Sequence, residues 1–331
     1  MKAPFNPYTG EDFFGFILLF IKRIFLFLTG ILNPSELVSD EIQLLTLISI
    51  SISSALIGSF LVLRKMAMLA NSISHTILVG IVAAYFLSGI SFQESHESSN
   101  NANLFILLAA SLVMGIATSF LTEFFTKTMK LQEDASIGLV FTTLFAIGIT
   151  LVTLLTRSQH VGTELVTGNV DALHINDLKL SLIVLGINLA ILILFYKEYL
   201  ITSFDPFFAS SLGFSVTSIN YLIMTQASFT VTSAFRAVGV IMVLALMTGP
   251  VLAARLLTKE LHKMLLMASF LGILASLFGV AMARHALSLY SLALSTAGTT
   301  ILAIAIIFII TACYFLFKEF HFFKRNLKNN W

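Results

Sequence analysis

The feature that most limits what this chain can fold into is the succession of its apolar runs. Segments of membrane-spanning length occupy roughly 42–63, 72–92, 103–122, 135–156, 178–196, 216–235, 237–257, 264–283 and 297–317. A helix needs about 20 mainly apolar residues to cross a hydrocarbon layer of about 30 Å. Only 11% of the residues are charged, against about 25% in a soluble domain, so charge cannot cover the surface. The expected fold class is an all-α polytopic membrane protein with about 8–9 transmembrane helices. The count stays open because 216–235 and 237–257 nearly abut at Arg236-Ala237. They read either as two spans with a tight turn or as one span plus a shorter helix.

Three regions are expected. Residues 1–41 form an N-terminal extension, Phe-rich with Lys22 and Arg23 in its middle, lying in the interface or adding a span. Residues 42–317 form the transmembrane domain, and 318–331 a basic cytoplasmic tail. Phe13 to Ile21 does not read as a cleaved signal, being short and followed by Lys22-Arg23 without a small-residue cleavage site. The net charge of +2 is too small to suggest a nucleic-acid partner. The lone Cys313 sits in an apolar run, which excludes an internal disulfide framework and predicts a small buried hydrophobe.

Lys and Arg placement sets the orientation. With Arg64-Lys65 inside, alternate loops put Lys127, Lys130, Lys197, Arg255, Lys259, Lys263, Lys318, Lys324, Arg325 and Lys328 on the same side. The opposite side receives Arg157, Lys179, Arg284 and Arg236. A multi-pass protein of the plasma membrane with a cytoplasmic C-terminus is therefore expected.

Several polar groups stand out against this background. Asn71 and His75 lie four residues apart just after Arg64-Lys65, so they share one helix face. His75 follows Lys65 by ten residues, about 15 Å of helix, which places it near the midplane. Imidazole nitrogen and amide oxygen can both ligate a divalent transition metal. Equally, Asn71 can cap a helix and His75 can hydrogen-bond a neighbouring one. Glu133 and Asp134 open the segment Ala135-Ser-Ile-Gly, where carboxylates satisfy free amides and the positive helix end.

The longest external connection, Arg157 to Asp177, carries His160, Glu164, Asp171, His174 and Asp177 at spacings that match no compact metal motif. Its Gly162 and Gly168-Asn169 suggest a folded or re-entrant element. Asp205-Pro206, with Gly213 beyond, marks a structured inner loop. In Gly239 to Lys263 an apolar run reaches Gly249-Pro250, then Arg255 and a charged amphipathic piece with Lys259. That stretch predicts a short cytoplasmic helix protruding after Pro250, either an ordinary loop or a docking surface for a cytosolic protein. The chain lacks G-x-x-x-x-G-K-[ST], H-E-x-x-H and G-x-S-x-G, which removes P-loop nucleotide binding and the simplest intramembrane protease readings.

Four motifs in order carry a resemblance. Gly58 to Gly80, with Arg64, Lys65, Met66 and His75 in register, resembles the first signature of the ABC-3 metal permease family, the permease subunits of zinc, manganese and iron importers. Glu133 to Gly138 resembles the second, and Asp205, Pro206, Ala209 and Gly213 the third. Ala237-Val-Gly239 with Pro250, Ala254, Arg255 and Thr258 resembles the fourth. The resemblance implies a type II ABC importer permease, similar to the cobalamin permease, that imports a divalent metal (zinc, manganese or iron) and binds no permanent cofactor. It implies three kinds of partner besides membrane lipid: a cytosolic ABC ATPase dimer, a second permease subunit (homo- or heterodimer) and an external metal-binding protein. On it His75 and position 71 line the metal pathway, Pro250, Arg255 and Lys259 couple to the ATPase, and the chain itself is not an enzyme. The sequence departs from the family at Ala70-Asn71, where a Gly-Asp pair is expected, and at Ala293 to Gly298, which lacks an Asp-x-Pro-x-Gly turn. The alternatives are a permease of the same fold for a siderophore or cobalamin, and an intramembrane metalloenzyme.

Overall fold

Helix α2, Ser39–Leu63, is the most deeply buried of the membrane-length helices among the described residues. The computed structural model describes residues 7–8, 10, 12–29, 37–88, 101–156 and 170–329. Helix α1 (Phe13–Leu28) precedes it, and α3 (Ala67–Ser88), α4 (Asn101–Thr128), α5 (Glu133–Thr156) and α6 (Ile175–Leu194) follow, with α4 and α5 packed on α3. Two short helices follow, α7 (Tyr196–Phe204) and α8 (Pro206–Ser211), then α9 (Val216–Val238), α10 (Val240–Leu257), α11 (Leu261–Tyr290) and α12 (Thr296–Asn329). A 3-10 turn, Val170–Ala172, precedes α6.

The composition of α2 explains its place. Between lipid-like helices there is little hydrophobic force, so association rests on close packing and polar contacts, and small residues let backbones approach. Ser49, Ser51, Ser53, Ser54, Gly58 and Ser59 are all buried. Ser49 and Ser59 donate to the carbonyls one turn back, hiding their hydroxyls within the helix. A Cβ on Gly58 would collide with the Met247 carbonyl of α10, and one on Gly272 of α11 with Ser51.

Pairings at both ends of the bundle fix helix directions. At one end Asp40 pairs with Arg284, and Gln43 donates to Asp171 Oδ1 at 3.0 Å, which also accepts from Thr296. At the other end Arg64 meets α7 and α9, and Lys127 donates to Thr217 at 3.0 Å. Asp40 and Arg64 thus mark the two ends of the bundle, the Asp40 end and the Arg64 end.

Among the described residues, eight helices are long and apolar enough to cross a membrane: α2 to α6 and α10 to α12. Helix α9 does not meet that criterion, yet its 23 residues give a length of about 34 Å. It runs antiparallel to α2 and α4, meeting Arg64 at Asn220, Gly115 at Ser228 and Ser53 at Thr230. Its Gln226, Ser228, Thr230, Thr232 and Ser233 are buried, and the helix packs against α2, α3, α4 and α6. Gly239 alone separates it from α10, with φ 77° and ψ 166°, a conformation open to glycine. Of the two readings of this region, the structure has two long helices joined by a tight turn.

Helix α1 has 16 residues, about 24 Å, short of a full crossing. It lies against the Asp40 end of α11. Phe13 stacks on Phe278 at 5.8 Å and its amide donates to His285 Nδ1 at 3.2 Å. Arg23 pairs with the buried Glu41, which also accepts from Tyr8 at 2.8 Å. Phe16 and Phe20 face inward, while Phe14, Leu18, Ile21 and Phe25 are exposed.

Two expectations are corrected. Pro250 lies inside the continuous α10, buried, with only Thr258 to Glu260 before α11. No separate helix protrudes after it. A proline interrupts one backbone bond but is tolerated where neighbouring helices hold the segment. The short helices at the Arg64 end are α7 and α8, of which α8 is mostly exposed. Cys313 is exposed on α12 rather than buried. An apolar run facing lipid cannot be told from a core run by composition, because lipid and core are equally apolar.

Candidate translocation site

The site is built from the reversal between α2 and α3. Met66 N–H bonds the Leu61 carbonyl at 2.8 Å and Lys65 N–H bonds Val62 at 3.2 Å. This crossed pair is a Schellman end, with Lys65 in the left-handed region at φ 61°. The usual glycine is missing, at a cost of about 1–2 kcal/mol. The tight turn starts α3 at Ala67, so His75 lies about 12 Å along the helix.

Thr118 of α4 donates to Thr76 at 2.7 Å, pinning one side of α3. His75 turns instead toward α5. Its half-buried ring packs on Phe141 at 5.1 Å and edge-on against Phe145 at 5.0 Å. Its Nδ1 is buried and has no hydrogen-bond partner among the described residues. An imidazole held by rings alone keeps a lone pair for an electrophile, which separates it from a hydrogen-bonded core histidine.

One turn toward the Arg64 end, Asn71 and Ser72 of α3 face Asp134, Gly138 and Phe141 of α5 across a cavity of about 270 Å³. Phe141 borders both this cavity and His75. Ser72 is fully buried and its Oγ has no partner among the described residues. Glu133 and Asp134 occupy the first turn of α5, where the helix N-terminus favours them. Neither accepts a hydrogen bond from a described residue; the Ser136 amide bonds the Gln132 carbonyl at 2.9 Å.

The loop carboxylates hold structure. Asp171 ties the 3-10 turn to α2 and α12. Asp177 accepts from the His174 amide at 3.0 Å at the start of α6. His160, Glu164, Gly162 and Gly168-Asn169 lie outside the described residues. Among the described residues no group of three His, Cys, Asp or Glu could hold a metal ion, so the first-signature residues gather around a cavity rather than a closed site.

At the Arg64 end the Asp205 to Gly213 motif is a short helix with both ends capped. Asp205 Oδ1 accepts from the Phe208 amide at 2.9 Å, Pro206 takes the first position, and Gly213 ends the helix at φ 87°. Ala209 packs inward, while Phe207 is 88% exposed beside exposed Phe204, Phe208 and Leu212. Arg255 and Lys259 border a second cavity of about 320 Å³ with Phe308 and Phe315.

Sequence reasoning missed what Arg64 does. Its Nε donates to Ser203 Oγ at 3.0 Å, and its terminal nitrogens reach Thr202 and Asn220. Burial lowers its pKa to about 10, so it stays a cation at neutral pH. The partners lie well over a hundred positions away, so only the basic pair itself was visible.

A model of the ABC 3 transport family matches residues 41–315. The "Probable metal transport system membrane protein" of Chlamydia muridarum is 38% identical over 309 residues, covering 93% of this chain and 94% of that protein. The "Manganese transport system membrane protein MntC" of Listeria monocytogenes is 32% identical over 77% of this chain and 84% of its own length. The "Zinc transport system membrane protein TroD" of Treponema pallidum is 35% identical over 73% and 66%. Among solved structures, a chain of PsaBC from Streptococcus pneumoniae in complex with Fab superposes with a TM-score of 0.69. That match has 23% identity over 89% of this chain and 95% of that one, and it bears on fold alone.

Proposed function

Because this chain belongs to the ABC 3 transport family, it is a multi-pass permease of a metal ABC importer, and we propose how its parts divide the work. The cargo is a divalent transition metal, manganese or zinc before iron, since similar relatives are named as manganese and zinc transport proteins. The metal travels as substrate along α3 past His75, whose buried, unpartnered Nδ1 is the observation that carries this reading. The aromatic walls Phe141 and Phe145 hold the ring without occupying that lone pair.

ATP is hydrolysed by a cytosolic partner, and this chain supplies no catalytic group. The Arg64 end faces the cytoplasm of a bacterial inner membrane, which the Lys and Arg distribution supports. Supporting this, Arg23 and Arg284 at the Asp40 end are paired to carboxylates, which reduces their weight as orientation signals. The ATPase seats on α7 and α8, where capped ends hold exposed aromatics rigidly, with Arg255 and Lys259 at the same end. A second permease subunit completes the pathway and an external binding protein delivers the ion.

The test is ATP-driven uptake by the purified transporter in proteoliposomes, with manganese, zinc and iron offered separately. Uptake of at least one free ion supports the reading. Transport of an organic chelate with no uptake of any free ion would overturn it in favour of a siderophore- or cobalamin-type cargo.

A further inference from the structure

The cavity of about 320 Å³ near the Arg64 end lies between α10 and α12, away from the His75 helix. Leu252, Leu256, Phe308 and Phe315 wall it, and the charged groups lining it are Arg255 and Lys259. Neither cation has a side-chain hydrogen bond or ion pair to a described residue. Glu260, next in sequence, is taken up by Lys263 Nζ at 2.9 Å. Two free cations thus stand over an apolar floor with no protein carboxylate to answer them.

The depth of this floor decides what can reach it. The stretch of α10 able to cross a membrane ends at Leu257, and that of α12 at Lys318. Leu252, Arg255, Leu256, Phe308 and Phe315 therefore lie within spans, and Lys259 lies just past one. From Leu252 to Lys259 is seven residues, about 10 Å of helix, so the cavity runs from apolar depth to a charged mouth. Leu252 is exposed, as are Ile309 and Leu316 next to the two rings on α12. A cytosolic protein can touch the mouth but not a floor set between two spans. Lipid therefore fits this cavity better than the ATPase expected at Arg255 and Lys259.

We propose that the cavity between α10 and α12 is an inner-leaflet site for an anionic phospholipid of the phosphatidylglycerol class. The lipid phosphate sits at the Arg255 guanidinium and the Lys259 ammonium. The start of one acyl chain runs inward along Phe315, Leu256, Leu252 and Phe308. Basic pockets between spans on the cytoplasmic side take anionic headgroups in this way. A guanidinium can bond two phosphate oxygens at once, and an ammonium adds a point charge. The volume lies near the lower end of the range of about 300–1,000 Å³ for small-molecule pockets. It suits a headgroup and the first part of a chain rather than a whole lipid. The inner-leaflet assignment rests on the orientation proposed above; lipid binding itself does not depend on the cargo.

The test is lipid retention by the purified whole transporter. The complex is washed in detergent micelles doped equally with phosphatidylglycerol and phosphatidylcholine, and its bound lipid is then extracted and quantified by mass spectrometry. Metal uptake plays no part in this readout, so failure of the site and failure of the importer reading are separate results. The wild type retains phosphatidylglycerol over phosphatidylcholine about tenfold or more, the scale of two cations near a headgroup. Arg255→Ala with Lys259→Ala lowers that preference about tenfold. Arg255→Lys with Lys259→Arg keeps both charges and stays within about threefold of wild type. Lys263→Ala, which removes a cation already paired to Glu260, also stays within about threefold. A wild type that retains both lipids equally overturns the proposal, however the variants behave. So does unchanged phosphatidylglycerol retention when Arg255 and Lys259 are both alanine. If that variant keeps its lipid but loses its ATPase, the two cations form a cytosolic docking surface instead.

Discussion

The Nε of Arg64 donates to Ser203 Oγ at 3.0 Å, joining the residue that caps the end of α2 to α7, the helix before α8. The same guanidinium reaches Thr202 and Asn220, so one side chain spans α2, α7 and α9. Lys65 and Met66 follow at once and lead into α3, which begins at Ala67. On this geometry a displacement of α7 is expected to reach the turn that leads into the helix carrying His75. Arg64→Lys keeps the charge but not the planar fork. The expected outcome is an assembled transporter whose ATPase activity persists while uptake falls about tenfold, about 1.4 kcal/mol of lost coupling. Equal loss of both activities would count against the link.

The docking surface is the second prediction. Phe207 and Phe208 stand exposed on a helix whose ends are capped by Asp205 and Gly213. Phe207→Ser with Phe208→Ser leaves the permease folded and lowers retention of the ATPase subunit on co-purification about tenfold, as loss of apolar anchors does. Arg255→Ala and Lys259→Ala weaken retention less, because rim charges contribute little. If the charge variants release the ATPase and the Phe variants do not, the seat lies after α10 instead.

The third concerns the buried polar node. Asn188 Nδ2 donates to Ser53 Oγ at 2.6 Å and to Thr230 Oγ1 at 2.7 Å, joining α6, α2 and α9. Hydrogen bonds between membrane helices average about 0.6 kcal/mol with a maximum near 1.7. Asn188→Leu therefore destabilises the detergent-solubilised protein by about 1–2 kcal/mol, read from its thermal midpoint. An unchanged midpoint would mean the node holds nothing.

Helix approach supplies the fourth. Gly58→Val meets the Met247 carbonyl and should lower stability by at least about 1–3 kcal/mol through overpacking. Gly138→Ala meets nothing within 4 Å and should leave the thermal midpoint within experimental scatter. Similar losses in both would indicate that helix propensity, not approach distance, governs these positions.

Much of the bundle is legible in the sequence because lipid contact writes itself as apolar runs. Helix α9 shows where that signal ends: enclosed by protein, it keeps Thr225, Gln226, Thr230 and Thr232, and a hydropathy criterion misses it. Pro250 misleads for a related reason, since a break in soluble sequences becomes an interior position when α11 and α12 hold both flanks. The Asp205 to Gly213 motif is local and reads correctly as a capped turn. His75 is visible from its spacing to Asn71. Its walls are not, because Phe141 and Phe145 come from a helix whose own sequence says nothing about which face meets α3. Asp134 reads as a capping residue for the same reason, and only the fold shows the cavity it shares with Asn71.

The central claim is that His75 handles the cargo ion. The most direct measurement is ATP-driven manganese and zinc uptake by a His75→Ala transporter, alongside size-exclusion proof that the complex is assembled. The account predicts that uptake falls about 10- to 100-fold, the range seen when a metal-site group is lost, while the assembly stays intact. Wild-type uptake of both ions by the assembled His75→Ala transporter would contradict it.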